Sequence, residues 1–395
     1  MKHLILLLLF CATFGAKAQT KDSTVTQRKN SAQTLIDSKG GNLLMAAYGE
    51  VHYNQQVDPD TRYNGELDVH RQVLLFGYKF DQKTSFITEI EIEHIKEVFL
   101  EQAFLNYQAK PWLNVQAGLL LIPMGIVNEY HEPTTFNGVE RPVIDNVLVP
   151  TTWREIGAGV AGNIPNAGLR YQLYLVNGPL GYDGSAKLNG SKPIRGARQK
   201  GSQVTMTSPD FSGKLTYYGI KGLDFGLAGY FGNTESSLFN NLKKDSLAQL
   251  NQADSSSIGI AMIGVDFRYQ LKKFETRGEL ILANLSNTDQ YNALTGTDLG
   301  TNAFGYYIEA GYDISSLLKM KKKLVPFVRY SNFNSHNAVN ENQTSNLSYA
   351  SSVITSGLTW YLNPNFVAKG DFQQIINGND KKSTTINLGV GYWFR

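Results

Sequence analysis

The sequence predicts an all-β fold, a transmembrane antiparallel β-barrel of about 16 strands with short periplasmic turns and long extracellular loops. Three observations carry this expectation. After the first 14 residues no uninterrupted apolar run approaches the ~20 residues that a membrane helix needs. From Leu43 onward, segments of about ten residues alternate apolar and polar side chains, as strands with one greasy face do. The links between these segments are mostly short at one end and long at the other, an asymmetry that a soluble sandwich does not need.

The chain divides into three parts. Met1 to Ala18 reads as an export signal, with Lys2 as its positive start, an apolar core from Leu4 to Phe14 and a small-x-small cleavage site at Ala16-Lys17-Ala18. The only cysteine, Cys11, lies in it, so the remainder can build neither a disulfide framework nor a cysteine-ligated metal site. Residues 19–42, rich in Ser, Thr, Gln, Lys and Asp, are expected to be a flexible periplasmic segment, and 43–395 the barrel. Lys plus Arg number 37 against 34 Asp plus Glu, a formal charge of +3, which gives no basic excess for nucleic acid.

Strands are expected at 43–53, 69–80, 84–95, 99–109, 112–121, 153–164, 168–177 and 211–220, then at 222–232, 258–271, 274–285, 304–315, 323–334, 350–362, 365–376 and 384–394. The two-residue period is plain at Leu74, Phe76, Tyr78 and Phe80, at Phe225, Leu227 and Phe231, and at Val265, Phe267, Tyr269 and Leu271. In the last strand Ile386, Leu388, Val390, Tyr392 and Phe394 share one face. Tight links follow even strands, as at Asp81-Gln82-Lys83, Lys110-Pro111, Pro165-Asn166-Ala167, Lys221, Lys272-Lys273 and Asn363-Pro364; only 316–322 is longer on that side. Long polar links, 54–68, 122–152, 178–210, 233–257, 286–303 and 335–349, follow odd strands. Closure follows from physics, because an open strand edge in hydrocarbon leaves backbone groups without partners. Aromatics near strand ends, Tyr78 and Phe80, Trp360 and Tyr361, and Tyr392 to Phe394, suit girdles at the two membrane interfaces.

Assigning the polar face of each strand to the interior gives the expected lumen: Arg71, Lys79, Arg170, Lys214, Arg268, Arg277, Arg329 and Lys369, with Glu89, Glu91, Glu93, Asp266, Glu279, Glu309 and Asp371 among the acids. The mixture favours neither sign of solute. A barrel of ~16 strands is wide enough for an aqueous channel. The link 122–152 differs from the others in its aromatics, prolines and charges. It is expected to fold inward as a constriction, with an extracellular loop or a subunit latch as alternatives. Glu129, His131, Glu132, Glu140, Arg141, Arg154 and Glu155 then either line the narrowing or form an ion-pair network that holds the loop.

The run Gly118 to Gly162, with Pro-Met-Gly-Ile, Asn-Glu-Tyr-His-Glu-Pro, Phe-Asn-Gly-Val-Glu-Arg-Pro and Thr-Trp-Arg-Glu-Ile-Gly-Ala-Gly, resembles the central region of Gram-negative porins related to the phosphate-selective porin family. The resemblance implies a 16-stranded, often trimeric outer-membrane channel for small hydrophilic solutes, with a constricting third loop. The chain lacks an obvious ladder of lumen arginines, which departs from the phosphate-selective members. Its last strand resembles the family's assembly signal, which implies that Tyr392 and Phe394 are read by the barrel-assembly machinery, although Arg395 follows Phe394. No cofactor, metal site or catalytic motif is expected: His131-Glu132 lacks the second histidine of a metalloprotease helix. Phosphate or oligosaccharide channels, a barrel enzyme and an adhesive barrel are the alternatives to a general porin, with outer-membrane lipids, small polar solutes and a homotrimer as expected partners.

Overall fold

The alternation legible at Ile386, Leu388 and Val390 is realised in the computed structural model, which describes residues 28–38, 41–243 and 245–394. These three side chains stand outward, 41%, 52% and 42% exposed, while Asn387 between them is fully buried. The expected export signal lies outside the described residues.

Among the described residues the strands are β1 (Leu43–Val57), β2 (Glu66–Lys79), β3 (Thr84–Glu93), β4 (Glu97–Lys110), β5 (Leu113–Leu121), β6 (Arg154–Ile164), β7 (Leu169–Val176), β8 (Leu180–Tyr182) and β9 (Asp210–Tyr217). They continue as β10 (Leu223–Asn233), β11 (Glu235–Ser236), β12 (Gly259–Leu271), β13 (Phe274–Ser286), β14 (Asn302–Tyr312), β15 (Leu324–Ala338), β16 (Ala350–Asn363), β17 (Phe366–Asn377) and β18 (Lys382–Phe394). Sixteen of them form one closed ring of antiparallel neighbours; β8 and β11 pair with each other outside it. Closure is made by β1 against β18, in register from Ala47 opposite Phe394 to Val57 opposite Thr384. With no open edge, the ring's backbone groups find partners within the ring. The asymmetry of the links also holds, although β1 and β2 extend further than expected and shorten the 54–68 link to 58–65.

Two expectations need correction. Part of the 19–42 segment is ordered: Ser31–Ile36 is a helix whose N-cap, Asn30, accepts from the Gln33 amide at 2.9 Å, and Ala32 and Leu35 are buried. Six residues do not hold a helix alone. This one is held by the inside of the barrel at the short-turn end, where Ser31 Oγ bonds Glu132 and Lys79 Nζ bonds the Ser38 carbonyl.

The interior, expected to be polar and water-filled, contains a continuous apolar cluster. Val73, Leu75, Ile87 and Phe104 on the walls pack in it with Ile122, Met124, Ile126, Ile144, Leu148 and Trp153. The physical reason is that the 122–152 link occupies the interior, so this sector of the wall is covered on both faces. The run Val73-Leu74-Leu75-Phe76 accordingly loses its polar alternation.

An arginine in place of outward Leu388, at mid-strand, is expected to destabilise the barrel by about 2–4 kcal/mol if that face meets hydrocarbon. Urea unfolding of the protein in lipid vesicles checks this, and an unchanged transition for Leu388→Arg would place the face in water.

Candidate functional site

A peptide segment inside a barrel is cut off from bulk water, so each of its N–H and C=O groups needs a partner from the protein. The 122–152 segment meets this need first at its own neck. Asn128 Nδ2 donates to the carbonyls of Ile122 (2.7 Å) and Trp153 (3.1 Å), and its Oδ1 accepts from the Trp153 amide at 2.8 Å. Beyond the neck, the barrel wall supplies the partners. Lys214 donates to the Gly125 carbonyl (2.9 Å), Arg277 to that of Thr135 (2.8 Å), Arg329 to that of Asn137 (2.6 Å), and Arg71 to that of His131. Glu279 accepts from the Ile126 amide at 2.9 Å and Asp371 from the Val139 amide at 2.7 Å. The segment is thus tied to β2, β9, β13, β15 and β17. Gly125 is required where it passes Glu279: its φ is +77°, and a Cβ there would sit 2.6 Å from Glu279 Oε1.

Most of the charges singled out in the segment are paired. Glu129 is 2.8 Å from Lys214 Nζ, which also holds Asp266 at 2.7 Å. Burial works to raise the Glu129 carboxyl, but Lys214, Arg170 and Arg268 together keep the group below the usual carboxylate range. Glu132 bonds Ser31. Glu140 faces His52 at 3.3 Å and accepts from Asn54 at 2.9 Å; despite burial, His52 and Asn54 hold its carboxyl down to about 2.

His131 is buried with Nδ1 3.1 Å from the Asn128 carbonyl and Nε2 3.3 Å from Glu89 and 3.5 Å from Glu101. A carbonyl and an ionised carboxylate can only accept, so both ring nitrogens carry protons. Burial alone would lower the pKa, yet Glu101 and Glu89 push it up to about 9. Tyr48 Oη completes the cluster, 2.7 Å from Glu89 and 3.1 Å from Glu101.

Arg154 and Glu155 begin β6, as the strand expected at 153–164 requires, and so stand on the wall at the neck of the segment. The Glu155 oxygens accept from Trp153 Nε1 (2.9 Å) and Tyr230 Oη (2.9 Å). The wall residues expected to face inward do so where their contacts are defined. Arg268 lies 3.8 Å from the Tyr130 ring centre, Arg170 donates to the Arg28 carbonyl at 2.8 Å, and Lys369 stands 3.8 Å from the Phe136 ring. Glu309 bridges Arg277 (3.0 Å) and Arg329 (2.6 Å), and Glu91 and Glu93 line the mouth.

Open space remains at both ends of the interior. At the long-loop end a cavity of about 400 Å³ is bounded by Arg141, Arg154, Lys192, Arg195, Arg198 and Lys200, facing Glu50, Glu91, Glu93 and Glu140. At the short-turn end, cavities of about 180 and 350 Å³ flank the Ser31–Ile36 helix and Tyr130. The basic residues of the mouth crowd one another: Arg198 Nε bonds the Arg195 carbonyl at 3.2 Å, and Lys200 Nζ and the Arg154 guanidinium both lie over the Phe99 ring. Burial, then Arg195 and Arg154, push the Arg198 pKa down to about 10. Lys192, Arg195, Arg198 and Lys200 were missed in the sequence, where 178–210 reads only as a long polar link. The signal was present, since no acid occurs from Lys187 to Lys200 while five bases do.

No protein-family model matches the chain. An uncharacterised protein of Aquifex aeolicus (strain VF5) is 27% identical over 381 residues, spanning 92% of this chain and 82% of the relative. Among solved structures, the anion-selective porin of Comamonas acidovorans superposes with a TM-score of 0.55 at 10% identity, covering 89% of this chain and 99% of the porin. OmpF of Salmonella typhi, in complex with daunomycin, gives 0.54 at 12% identity over 89% and 97% of the two chains. The outer-membrane channel DcaP of Acinetobacter baumannii gives 0.54 at 12% identity over 90% and 99%. The chain therefore has the 16-stranded fold of outer-membrane porins; the narrower likeness to phosphate-selective porins finds no family match.

Because the folded-state pKa of His131 is raised, its ion pairs stabilise the loop fully below about pH 6.5, and that contribution is lost as pH rises through about 9. The protection factors of the 126–140 amides, taken against the intrinsic exchange rate at each pH, are expected to fall across that interval in the native protein and to stay level in His131→Gln. An equal dependence in both proteins would show that His131 does not hold the loop.

Proposed function

We propose that the protein is an outer-membrane porin, a passive channel for small hydrophilic solutes without catalysis, narrowed by the 122–152 segment. The observation that carries this reading is that segment itself, held inside a closed 16-strand ring by wall charges, with polar cavities left at either end. The apolar outer face and the similar structures support the outer membrane as its location. Tyr392 and Phe394 stand on the lipid-facing side of β18, where the assembly machinery would read them. One similar structure, OmpT of Vibrio cholerae, is described in a trimer form, at 7% identity and a TM-score of 0.51. A homotrimer is proposed here on that analogy.

Within this reading, the mouth favours small anions, among them phosphate. The wall residues alone gave no preference of sign. At the mouth, six cationic side chains face four carboxylates, and a charged, low-dielectric entrance concentrates counter-charged solutes.

Single-channel recording in a planar bilayer tests the function. Discrete conductance steps are expected, with a reversal potential in a salt gradient that favours anions and moves toward cations in Arg195→Gln/Arg198→Gln. Absence of steps would remove the porin reading, and an unmoved reversal potential would remove the role of the mouth. Deleting residues 28–38, which fill the short-turn end, is expected to raise the conductance; an unchanged step size would show that the helix lies off the solute path.

A further inference from the structure

Among the described residues, two groups of side chains offer three metal-type ligand atoms within 4.8 Å of one another. The first, Glu89, Glu101 and His131, is fully buried, and its ligand atoms are already engaged by Tyr48, by Gln102 and by one another. The second, Asp68, His70 and His94, lies at the long-loop end of the barrel, with Asp68 and His70 half-buried and His94 exposed.

Its geometry is set by the backbone. Asp68 and His70 are two residues apart on β2 and therefore share a face. His94 sits in the β3–β4 turn with φ of 51°, and its amide donates to the His70 carbonyl at 3.2 Å, which brings the two imidazoles together. Their rings meet edge to face, with centroids 5.3 Å apart. His70 is further fixed by stacking on His52 at 4.5 Å and 11°, and His52 is itself held between Glu50 and Glu140.

One carboxylate oxygen, Asp68 Oδ2, faces both imidazoles: it is 2.6 Å from His94 Nδ1 and 3.4 Å from His70 Nδ1. Around tetrahedral zinc, with bonds of about 2.0–2.2 Å, ligand atoms stand about 3.3 Å apart. The Asp68–His70 distance already matches, and the Asp68–His94 distance, on an exposed turn, is short of it by less than an ångström.

We propose that Asp68, His70 and His94 bind a divalent transition-metal cation of the Zn²⁺ type at the mouth of the barrel. Two imidazoles and one carboxylate suit zinc, copper or nickel better than calcium or magnesium, which take oxygen ligands. Three protein ligands leave a fourth position open, and it faces water or a solute in the mouth, since His70 and the neighbouring Glu93 line the cavity there. The ligands come from positions 26 residues apart that only strand pairing unites, so no sequence motif announces them. The proposal does not rest on the channel reading.

The test is calorimetric titration of the full-length protein, in detergent and freed of metal with a chelator, with ZnCl₂. One saturable Zn²⁺ per chain is expected, with affinity reduced at least about tenfold in Asp68→Asn and in His94→Gln. His94 is an exposed turn residue, so His94→Gln leaves the barrel intact; unchanged heat-modifiable mobility in gels confirms that the titrated variant is folded. With Co²⁺ as probe, visible absorption from the site is expected in the native protein and is lost in His70→Gln. No saturable binding, or binding that survives both Asp68→Asn and His94→Gln in folded protein, would overturn the proposal.

Discussion

The structure depends on one constraint, the satisfaction of a long peptide segment's backbone inside a closed barrel. Residues 122–152 have no strand partner of their own, so the wall has to supply donors to their carbonyls and acceptors to their amides. Arg71, Lys214, Arg277 and Arg329 do the first, and Glu279 and Asp371 the second. Several of these cations also hold a carboxylate, as Arg71 holds Glu50 at 2.6 Å and Arg329 holds Glu309. Charge compensation on the wall and hydrogen bonding to the loop are therefore one network. Removing one member leaves a buried charge without its partner, which costs more than the lost contact alone.

This constraint separates the interior into two kinds of surface. Where the segment lies flat on the wall, apolar side chains meet and water is excluded, as Met124, Ile144 and Leu148 do against β12 and β14. Where it turns away, polar cavities open at the ends. Both ends are rich in cations: Arg141, Arg195 and Arg198 at the mouth, and Arg28, Arg170 and Arg268 around Tyr130 at the short-turn end. Cations thus gather at both thresholds, whereas the middle is occupied by mutually paired charges.

The barrel was legible in the sequence because a strand exposes every second side chain to one environment, and lipid imposes a strict rule on that side. Leu388 and Val390 announce themselves even when the opposite face is mixed. The interior follows no such rule, since its polarity depends on what covers it. Val73 and Leu75 look out of place for a watery lumen until the segment above them is seen, and residues 28–38 look like tail because a six-residue helix held by remote contacts leaves little periodicity. The candidate charges at Glu129, His131 and Glu132 were found by their unusual texture, but their partners, Lys214, Glu89, Glu101 and Ser31, are 101 residues away at the most distant and no closer than 30. Arg154 and Glu155 were grouped with the segment by the same texture, although the strand expected at 153–164 already contains them.

The same network joins the two obstructions in the barrel. The Ser31–Ile36 helix is too short to persist by its own hydrogen bonds. Ser31 bonds Glu132 of the interior segment, and Tyr130 of the same segment donates to the carbonyl of Arg28, ahead of the helix, at 3.3 Å. Glu132 is in turn next to His131, whose Nε2 faces Glu89 and Glu101 on the wall. A shift of the segment at this corner therefore removes a partner of the helix, and loss of the helix exposes Glu132 and Tyr130 to water at the short-turn end. The two elements stabilise each other through residues 130–132, so the width of the barrel's lower half is set by the loop that enters from its upper half.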